Sequence, residues 1–316
     1  MAVKILRVDE THPLLDDMLR AKGLMVDVDL HSPYEEILRK IGAYDGLVIR
    51  SRFPVDKTLL SRAKKMKFIA RVGSGTEGID KRFAAQLGIS VFNAPEGNRN
   101  AVAEYAVMAL LSLLRKFPAS YLAVREGGWD RKAFRGFELE GKTVAIIGYG
   151  NTGKTFARKL SGFDTEVLCN DILPGVGDEY ARQTELAEIY SRADIVSFHV
   201  PLTEKTRYMA SASFFDRFAK PFYLINTSRG EVVNTKDLSD ALRRGKILGA
   251  ALDVLEYENP SFIRSFSEGE YPSVLRELLQ RDNVIITPHI AGITYESYQK
   301  LARVTAGKIL EFLGMA

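Results

Sequence analysis

The stretch Val144 to Asp171, VAIIGYGNTGKTFARKLSGFDTEVLCND, constrains the fold more than any other part of the chain. Four apolar residues, Val144 to Ile147, read as a buried strand that runs directly into Gly148-Tyr149-Gly150-Asn151-Thr152-Gly153. Helical character follows over Lys154 to Leu160, and a second apolar run, Val167 to Cys169, ends in the acid Asp171. In such a unit the glycine at 148 permits a tight turn, the one at 150 lets a pyrophosphate approach the backbone, and the one at 153 lets helix and strand pack closely. The unpaired N–H groups at the start of the helix then face the phosphates. An acid about 20 residues beyond the glycines is placed to accept from the two adenosine ribose hydroxyls. No arginine immediately follows Asp171, and its charge repels a 2′-phosphate, so NAD is expected rather than NADP.

The remainder of the chain repeats this alternation. Short apolar runs at Val3 to Val8, Met25 to Val28, Leu47 to Ile49, Phe68 to Val72 and Ile89 to Phe92 alternate with segments of helical period. A second series runs through Val144 to Ile147, Val167 to Cys169, Ile195 to Phe198, Phe222 to Asn226, Ala250 to Leu255 and Val284 to Thr287. Strands alternating with helices predict an α/β fold with parallel sheets covered on both faces. Six strands in the second series suit a dinucleotide-binding sheet. A chain of 316 residues, 46% apolar and 27% charged, is long enough for two such doubly wound domains. Between the series lies Asn93-Ala94-Pro95-Glu96-Gly97-Asn98, rich in turn formers, and then Ala101 to Arg115, a helical run too apolar for a solvated surface. A hinge is expected at the former, and a position between domains or subunits for the latter.

The bulk properties exclude several classes. A net charge of +4 comes from 44 basic and 40 acidic residues spread along the sequence, which gives no reason to expect nucleic acid as a partner. Cys169 is the only cysteine, so no intrachain disulfide can form and a reducing compartment is expected, with Cys169 as a buried strand residue. No apolar stretch approaches the roughly 18 residues of a membrane span, and the apolar run at the N-terminus is too short for a signal peptide. The expectation is a soluble, cytoplasmic protein without a membrane partner. No cluster has metal-ligand spacing, so no metal is expected.

Three further stretches stand where the second series places strand ends: Asn226-Thr227-Ser228-Arg229-Gly230, Asp253-Val254-Leu255-Glu256-Tyr257-Glu258 and Thr287-Pro288-His289-Ile290-Ala291-Gly292. Ligands of open α/β sheets bind beyond the carboxyl ends of the strands, so an arginine, a carboxylate and a histidine become available beside the dinucleotide. Oxidising a 2-hydroxy acid needs a base for the hydroxyl proton, a cation for the carboxylate and keto oxygen, and a nicotinamide for the hydride. Histidine suits the first task, and a neighbouring glutamate fixes its tautomer and favours its protonated form. Arginine, always charged and planar, suits the second. From the residues alone either Glu256 or Glu258 can stand beside the histidine.

The segments INTSRGEVVNTKDLSDALRRGKILGAALDVLEYENP and NVIITPHIAG, with ELEGKTVAIIGYGNTGK and FHVPLT, resemble the signatures of the D-isomer-specific 2-hydroxyacid dehydrogenases. The likeness extends to RVGSGTEGID and NAPEGNRNAVAEYAVMALL, and within the family VIRSR and GGWDRKAFRGFELEGKT are most similar to the phosphoglycerate dehydrogenases. The resemblance implies a Rossmann-type NAD-binding domain, residues 96–288, inserted into a flavodoxin-like substrate domain, residues 1–95 and 289–316, closing on a small 2-hydroxy or 2-keto acid. It implies Arg229 as the arginine that binds and polarises the substrate, Glu258 as the partner of the histidine, and His289 as the acid/base. Cofactor contacts are implied for Gly148 to Gly153, Asp171, His199, Val200, Pro201, Thr227, Ser228, Asp253 and Gly292, with His199 otherwise read as structural. The loop Val72 to Gly75, with Gly73, Ser74 and Gly75, is implied to give N–H groups to the substrate carboxylate, and Asn98 to lie near it. Arg50, Ser51 and Arg71 match positions at the charged end of phosphoglycerate, with Arg52 a further candidate.

The resemblance points to 3-phosphoglycerate and 3-phosphohydroxypyruvate as substrates, in serine biosynthesis. Hydroxypyruvate, glyoxylate or D-lactate are alternatives, as is an NAD-sensing, corepressor-like binding protein. Formate oxidation is disfavoured by Pro288, which stands where a glutamine is expected. A homodimer through the NAD-binding domain is implied, with Ala101 to Arg115 as its element. Trp129 is expected to anchor an interface between domains or subunits. Two departures from the family pattern stand out: Asn259 separates Glu258 from Pro260, and the sequence stops after the closing helix, so serine feedback through a regulatory domain is expected to be absent.

Overall fold

A computed structural model describes residues 3–258 and 272–315, in two compact units. The first comprises residues 3–99 with 293–315, and the second comprises 100–258 with 272–292. These divisions fall four residues beyond the expected breaks at 95/96 and 288/289, so His289 belongs to the second unit.

In the first unit five parallel strands, β1 (Lys4–Arg7), β2 (Met25–Val28), β3 (Gly46–Ile49), β4 (Phe68–Arg71) and β5 (Ser90–Asn93), stand in the order β2-β1-β3-β4-β5. This is the flavodoxin-like order. Period-two alternation sends neighbouring residues to opposite faces. Leu6, Leu47, Ile49 and Ile69 join one buried cluster. Ile5, Val48, Phe68 and Ala70 join the other, which Leu301, Ala302, Ala306 and Ile309 of the helix Tyr295–Phe312 complete. Apolar packing on both faces explains why the strands read as continuous apolar runs instead of alternating ones.

The second unit holds a seven-stranded parallel sheet of β6 (Thr143–Ile147), β7 (Glu166–Asn170), β8 (Arg182–Gln183), β9 (Ile195–Phe198), β10 (Phe222–Asn226), β11 (Ile247–Leu252) and β12 (Val284–Ile286). Their order, β12-β11-β10-β9-β6-β7-β8, contains the full Rossmann succession around the switch point between β6 and β9. Six of these strands were expected. The seventh, β8, is a two-residue edge strand of arginine and glutamine, and an edge of that length carries no apolar run to announce it. The strand β11 begins three residues before the expected Ala250 because Gly249 lies inside it, where a Cβ would stand 2.9 Å from the Asn283 carbonyl oxygen.

The apolar helix spans Pro95–Leu114. Within the second unit its Val102, Ala106, Leu110, Leu113 and Leu114 pack with Val144, Ile146 and Ile225 in the core. One side of its apolar character is therefore used on the unit's own sheet, while Met108 on the same helix is half exposed. Further exposed apolar surface comes from the next helix, Phe117–Arg125, in which no residue is fully buried. Among the described residues no single helix is long and apolar enough to cross a membrane.

Candidate active site

The glycine loop takes the shape its spacing predicts. Gly148 adopts φ +91°, and a Cβ there would stand 2.8 Å from the backbone of His199. A Cβ at Gly153 would fall inside contact distance of the Gly148 carbonyl oxygen, so this glycine is what lets the helix Asn151–Leu160 leave the strand at close range. Nothing lies within 4 Å of a Cβ at Gly150, the position where a phosphate needs bare backbone. Asp171 closes β7, accepting from Tyr149 N at 2.7 Å and Leu173 N at 2.9 Å. These bonds fix the carboxylate beside the glycine turn.

Tyr149 itself points away from the loop. It is 1% exposed, and its hydroxyl donates to Asp178 at 2.6 Å, pushing the phenol pKa far above its usual range. Its ring is a core residue and its N–H is taken by Asp171, so no direct cofactor contact comes from either. Asn151 and Thr152 open the helix, and Val200 and Pro201 follow His199 at the end of β9. Among the described residues, the buried Thr227 Oγ1 and His199 Nδ1 have no hydrogen-bond partner. The Nε2 of His199 meets Ser197 Oγ at 2.8 Å, and burial pushes its pKa down to about 3, so the ring is neutral. The bare glycine backbone, the anchored acid and the orphaned Thr227 hydroxyl together fit a dinucleotide. Gly292, the last residue of the second unit, ends the histidine loop.

The loops after β10, β11 and β12 are locked to one another. A Cβ at Gly230 would collide with the backbone of Leu255, so the arginine loop and the carboxylate loop touch through main chain. Arg229 NH1 donates to Ser228 O at 2.6 Å, while Ser228 Oγ donates to Asn226 Oδ1 at 2.7 Å. Of the two candidate acids, Glu258 is the one at the histidine: its Oε2 lies 2.7 Å from His289 Nδ1 and its Oε1 accepts Leu255 N at 2.6 Å. Glu256 instead accepts from Thr235 N at 3.5 Å. A carboxylate only accepts, so Nδ1 carries the proton toward Glu258, and in that tautomer Nε2 is the basic nitrogen.

Asp253 ties the loops after β11 and β12 together. It is 1% exposed, and its Oδ1 accepts from Thr287 Oγ1 at 2.6 Å and Ile290 N at 2.8 Å, while Oδ2 accepts from Ala291 N at 2.8 Å. Burial raises its pKa against these bonds. The Asp253 carbonyl also accepts His289 N at 2.8 Å, and Thr287 is held from the other side by the Tyr105 hydroxyl. Asp253 thus fastens the histidine loop through both carboxylate oxygens. This clamp holds His289 at φ +55°, a conformation that a non-glycine residue keeps only when its surroundings impose it.

In the first unit the expected residues gather beyond the carboxyl ends of β3, β4 and β5. Gly73 N donates to Arg71 O at 2.9 Å, so it has no N–H left to offer. Among the described residues Ser74 and Gly75 retain theirs, which narrows the expected donor loop to two amides. A Cβ at Gly73 would collide with the Arg71 guanidinium, which explains the glycine. Ser74 Oγ donates to Asn98 Oδ1 at 2.6 Å. The Arg52 guanidinium is turned to the protein, donating to Val8 O at 3.0 Å, Asp29 O at 2.6 Å and Ser32 O. Arg71 Nε donates to Arg50 O at 3.1 Å, and the amide of Ser51 joins those of its neighbours on Asp9, a residue with no sequence signal of its own.

Comparison with known proteins agrees with this geometry. The sequence profile of the D-isomer specific 2-hydroxyacid dehydrogenase NAD-binding domain matches residues 107–291. The chain is 36% identical to D-3-phosphoglycerate dehydrogenase of Archaeoglobus fulgidus over 93% of its own length and 54% of that protein's. It is 32% identical to hydroxypyruvate reductase of Thermotoga maritima over 90% of each chain. A solved structure of D-lactate dehydrogenase from Aquifex aeolicus complexed with NAD and lactic acid superposes with a TM-score of 0.84, at 26% identity, covering 98% of this chain and 95% of that one. The chain belongs to the D-isomer specific 2-hydroxyacid dehydrogenases, and residues 107–291 are its NAD-binding domain. It spans about half the length of the archaeal phosphoglycerate dehydrogenase it matches.

Proposed function

We propose that the protein is an NAD-dependent dehydrogenase of D-2-hydroxy acids whose substrate pair is 3-phosphoglycerate and 3-phosphohydroxypyruvate. The observation that carries this reading is the clamped histidine: His289 paired through Nδ1 with Glu258, its loop fixed by Asp253. NAD, when bound, supplies the hydride acceptor. Gly148, Gly150 to Gly153 and Asp171 hold its phosphates and adenosine ribose, with Thr227 as a further donor. His289 Nε2 takes the substrate hydroxyl proton in oxidation and returns one in reduction, and Glu258 keeps the tautomer that allows this. Arg229 holds the substrate carboxylate and polarises the keto oxygen. Ser74 and Gly75 donate to the carboxylate, Asn98 orients Ser74, and Arg50 and Arg71 meet the phosphate.

The relative from Thermotoga, matched over nine-tenths of both chains, favours hydroxypyruvate as the alternative substrate. The two are separated by NADH oxidation with each keto acid. The proposal expects a higher kcat/KM with phosphohydroxypyruvate, and a higher value with hydroxypyruvate, glyoxylate or pyruvate assigns the enzyme to that acid. No turnover of any keto acid, with NAD still bound, points to the binding-protein alternative.

The same reading includes a homodimer. Phe117, Tyr121, Leu122 and Val124 are all exposed on one helix, Met108 and Phe137 are exposed too, and Trp129 is 81% exposed. An apolar surface of this extent is the kind a second copy covers. Sedimentation of Leu122→Asp as a monomer supports it, and an unaltered dimer with that variant contradicts it.

A further inference from the structure

Three consecutive amides beyond β3 converge on one oxygen. Arg50 N, Ser51 N and Arg52 N lie 2.5, 3.0 and 3.2 Å from Asp9 Oδ2. A concave run of backbone N–H groups is an anion-binding nest, and here the anion is a side chain of the chain itself. Asp9 follows β1, the strand that pairs with β3, and its own carbonyl accepts Arg7 NH1 at 2.7 Å. Arg7 is immobile in turn, held by Asp16 through Nε at 3.0 Å and NH2 at 2.8 Å inside the unit.

The nest has an onward consequence. The Arg50 peptide that donates to Asp9 also accepts, at its carbonyl, the Arg71 Nε–H at 3.1 Å. One carboxylate thus sets the backbone from which the Arg50 side chain departs and the group that aims Arg71, while Arg52 is turned to three carbonyls. Among the described residues the Arg50 guanidinium has no hydrogen-bond or ion-pair partner, which leaves it available to a ligand.

We infer that Asp9 is a positioning residue for recognition of the substrate's anionic end: it fills the nest at 50–52 and so presents Arg50 and Arg71 as a pre-aimed pair of cations. The inference rests on the reading that these two arginines meet a phosphate. It further implies that the substrate phosphate is held by side chains and not by the loop's amides, which Asp9 already occupies.

Two readouts test it. The hydrogen bond to the Arg50 carbonyl is expected to protect the wild-type Arg71 Nε–H resonance from water exchange. Asp9→Ala is expected to abolish that protection and to raise KM for phosphohydroxypyruvate by about tenfold, more than KM for hydroxypyruvate and more than it lowers kcat. Asp9→Asn keeps one acceptor oxygen and is expected to retain most of both properties, so it also serves if the alanine variant folds poorly. Adding Asp9→Ala to Arg50→Ala/Arg71→Ala should change the phosphohydroxypyruvate KM no further. Retained Nε–H protection in Asp9→Ala, an unchanged or lowered KM, or equal effects on the two substrates overturns the inference. If instead neither arginine variant alters the ratio of the two KM values, the phosphate reading fails, and lost protection in Asp9→Ala still supports the positioning of Arg71 by Asp9.

Discussion

Asp253 and Asp9 each gather a loop onto one carboxylate, the first in the NAD-binding unit and the second in the flavodoxin-like unit. Asp253 is buried and uses both oxygens, for a hydroxyl and two amides of the histidine loop. Asp9 is partly exposed and uses one oxygen, for three amides of the arginine loop. A buried carboxylate with both oxygens engaged tolerates no exchange of one oxygen for an NH2 group, because a donor would then face a donor where water cannot intervene. A partly exposed one with a single oxygen engaged tolerates it. In the proposed function, the loop that carries the proton-moving histidine is thus held by a buried, doubly engaged carboxylate, and the loop that carries the arginines by a partly exposed, singly engaged one.

The largest effect that sharpens this contrast is expected from Asp253→Asn. Releasing the 287–291 loop displaces His289, and kcat should fall roughly 10²-fold, the scale of a misplacement of about 1 Å. Urea unfolding should show a loss of about 1–3 kcal/mol for the unmatched amide. Asp9→Asn should cost less than about 1 kcal/mol in the same assay. Equal losses in the two variants would break the comparison.

The glycine loop offers a second contrast within one unit. Gly153→Ala forces a Cβ against the Gly148 carbonyl and should destabilise by about 1–3 kcal/mol. Gly150→Ala meets open space, so unfolding should shift by no more than about 0.5 kcal/mol. It should nevertheless weaken NAD binding by about tenfold in calorimetry, because the methyl group stands where a phosphate approaches. The smallest effect concerns His199. Its pKa is about 3 in the folded chain against an ordinary 6.5, so the unfolded chain takes up the proton first. Its contribution to stability is complete above about pH 6.5 and is lost as pH falls from there toward 3. His199→Gln should flatten that limb of the stability profile, and an unchanged limb assigns it to other groups.

Much of this was legible in the sequence because it is local. Strands buried on both faces appear as apolar runs, and the three glycines of the turn are dictated by backbone contacts within a few residues of each other or of His199. Long-range polar partnerships were not legible. The fastening of the histidine loop by Asp253 gave no signal, since its partners lie 34 to 38 residues away and no period links them. Asp9 gave no signal, since its partners are 41 to 43 residues distant and are backbone amides, which every residue has. Arg50 and Arg52 look alike in VIRSR, and only the three carbonyls around Arg52 distinguish the structural cation from the one left for a ligand. The choice of Glu258 over Glu256 came through family resemblance, and the 2.7 Å contact with His289 gives it a physical basis.

The central claim is that His289, clamped by Asp253 and oriented by Glu258, moves the substrate proton. It is tested most directly by NADH-dependent reduction of phosphohydroxypyruvate and hydroxypyruvate by wild type and His289→Ala, with NAD affinity measured on both. The account predicts a fall in kcat of about 10²-fold to 10⁴-fold with NAD affinity preserved. A variant that reduces either keto acid at close to the wild-type rate would contradict it.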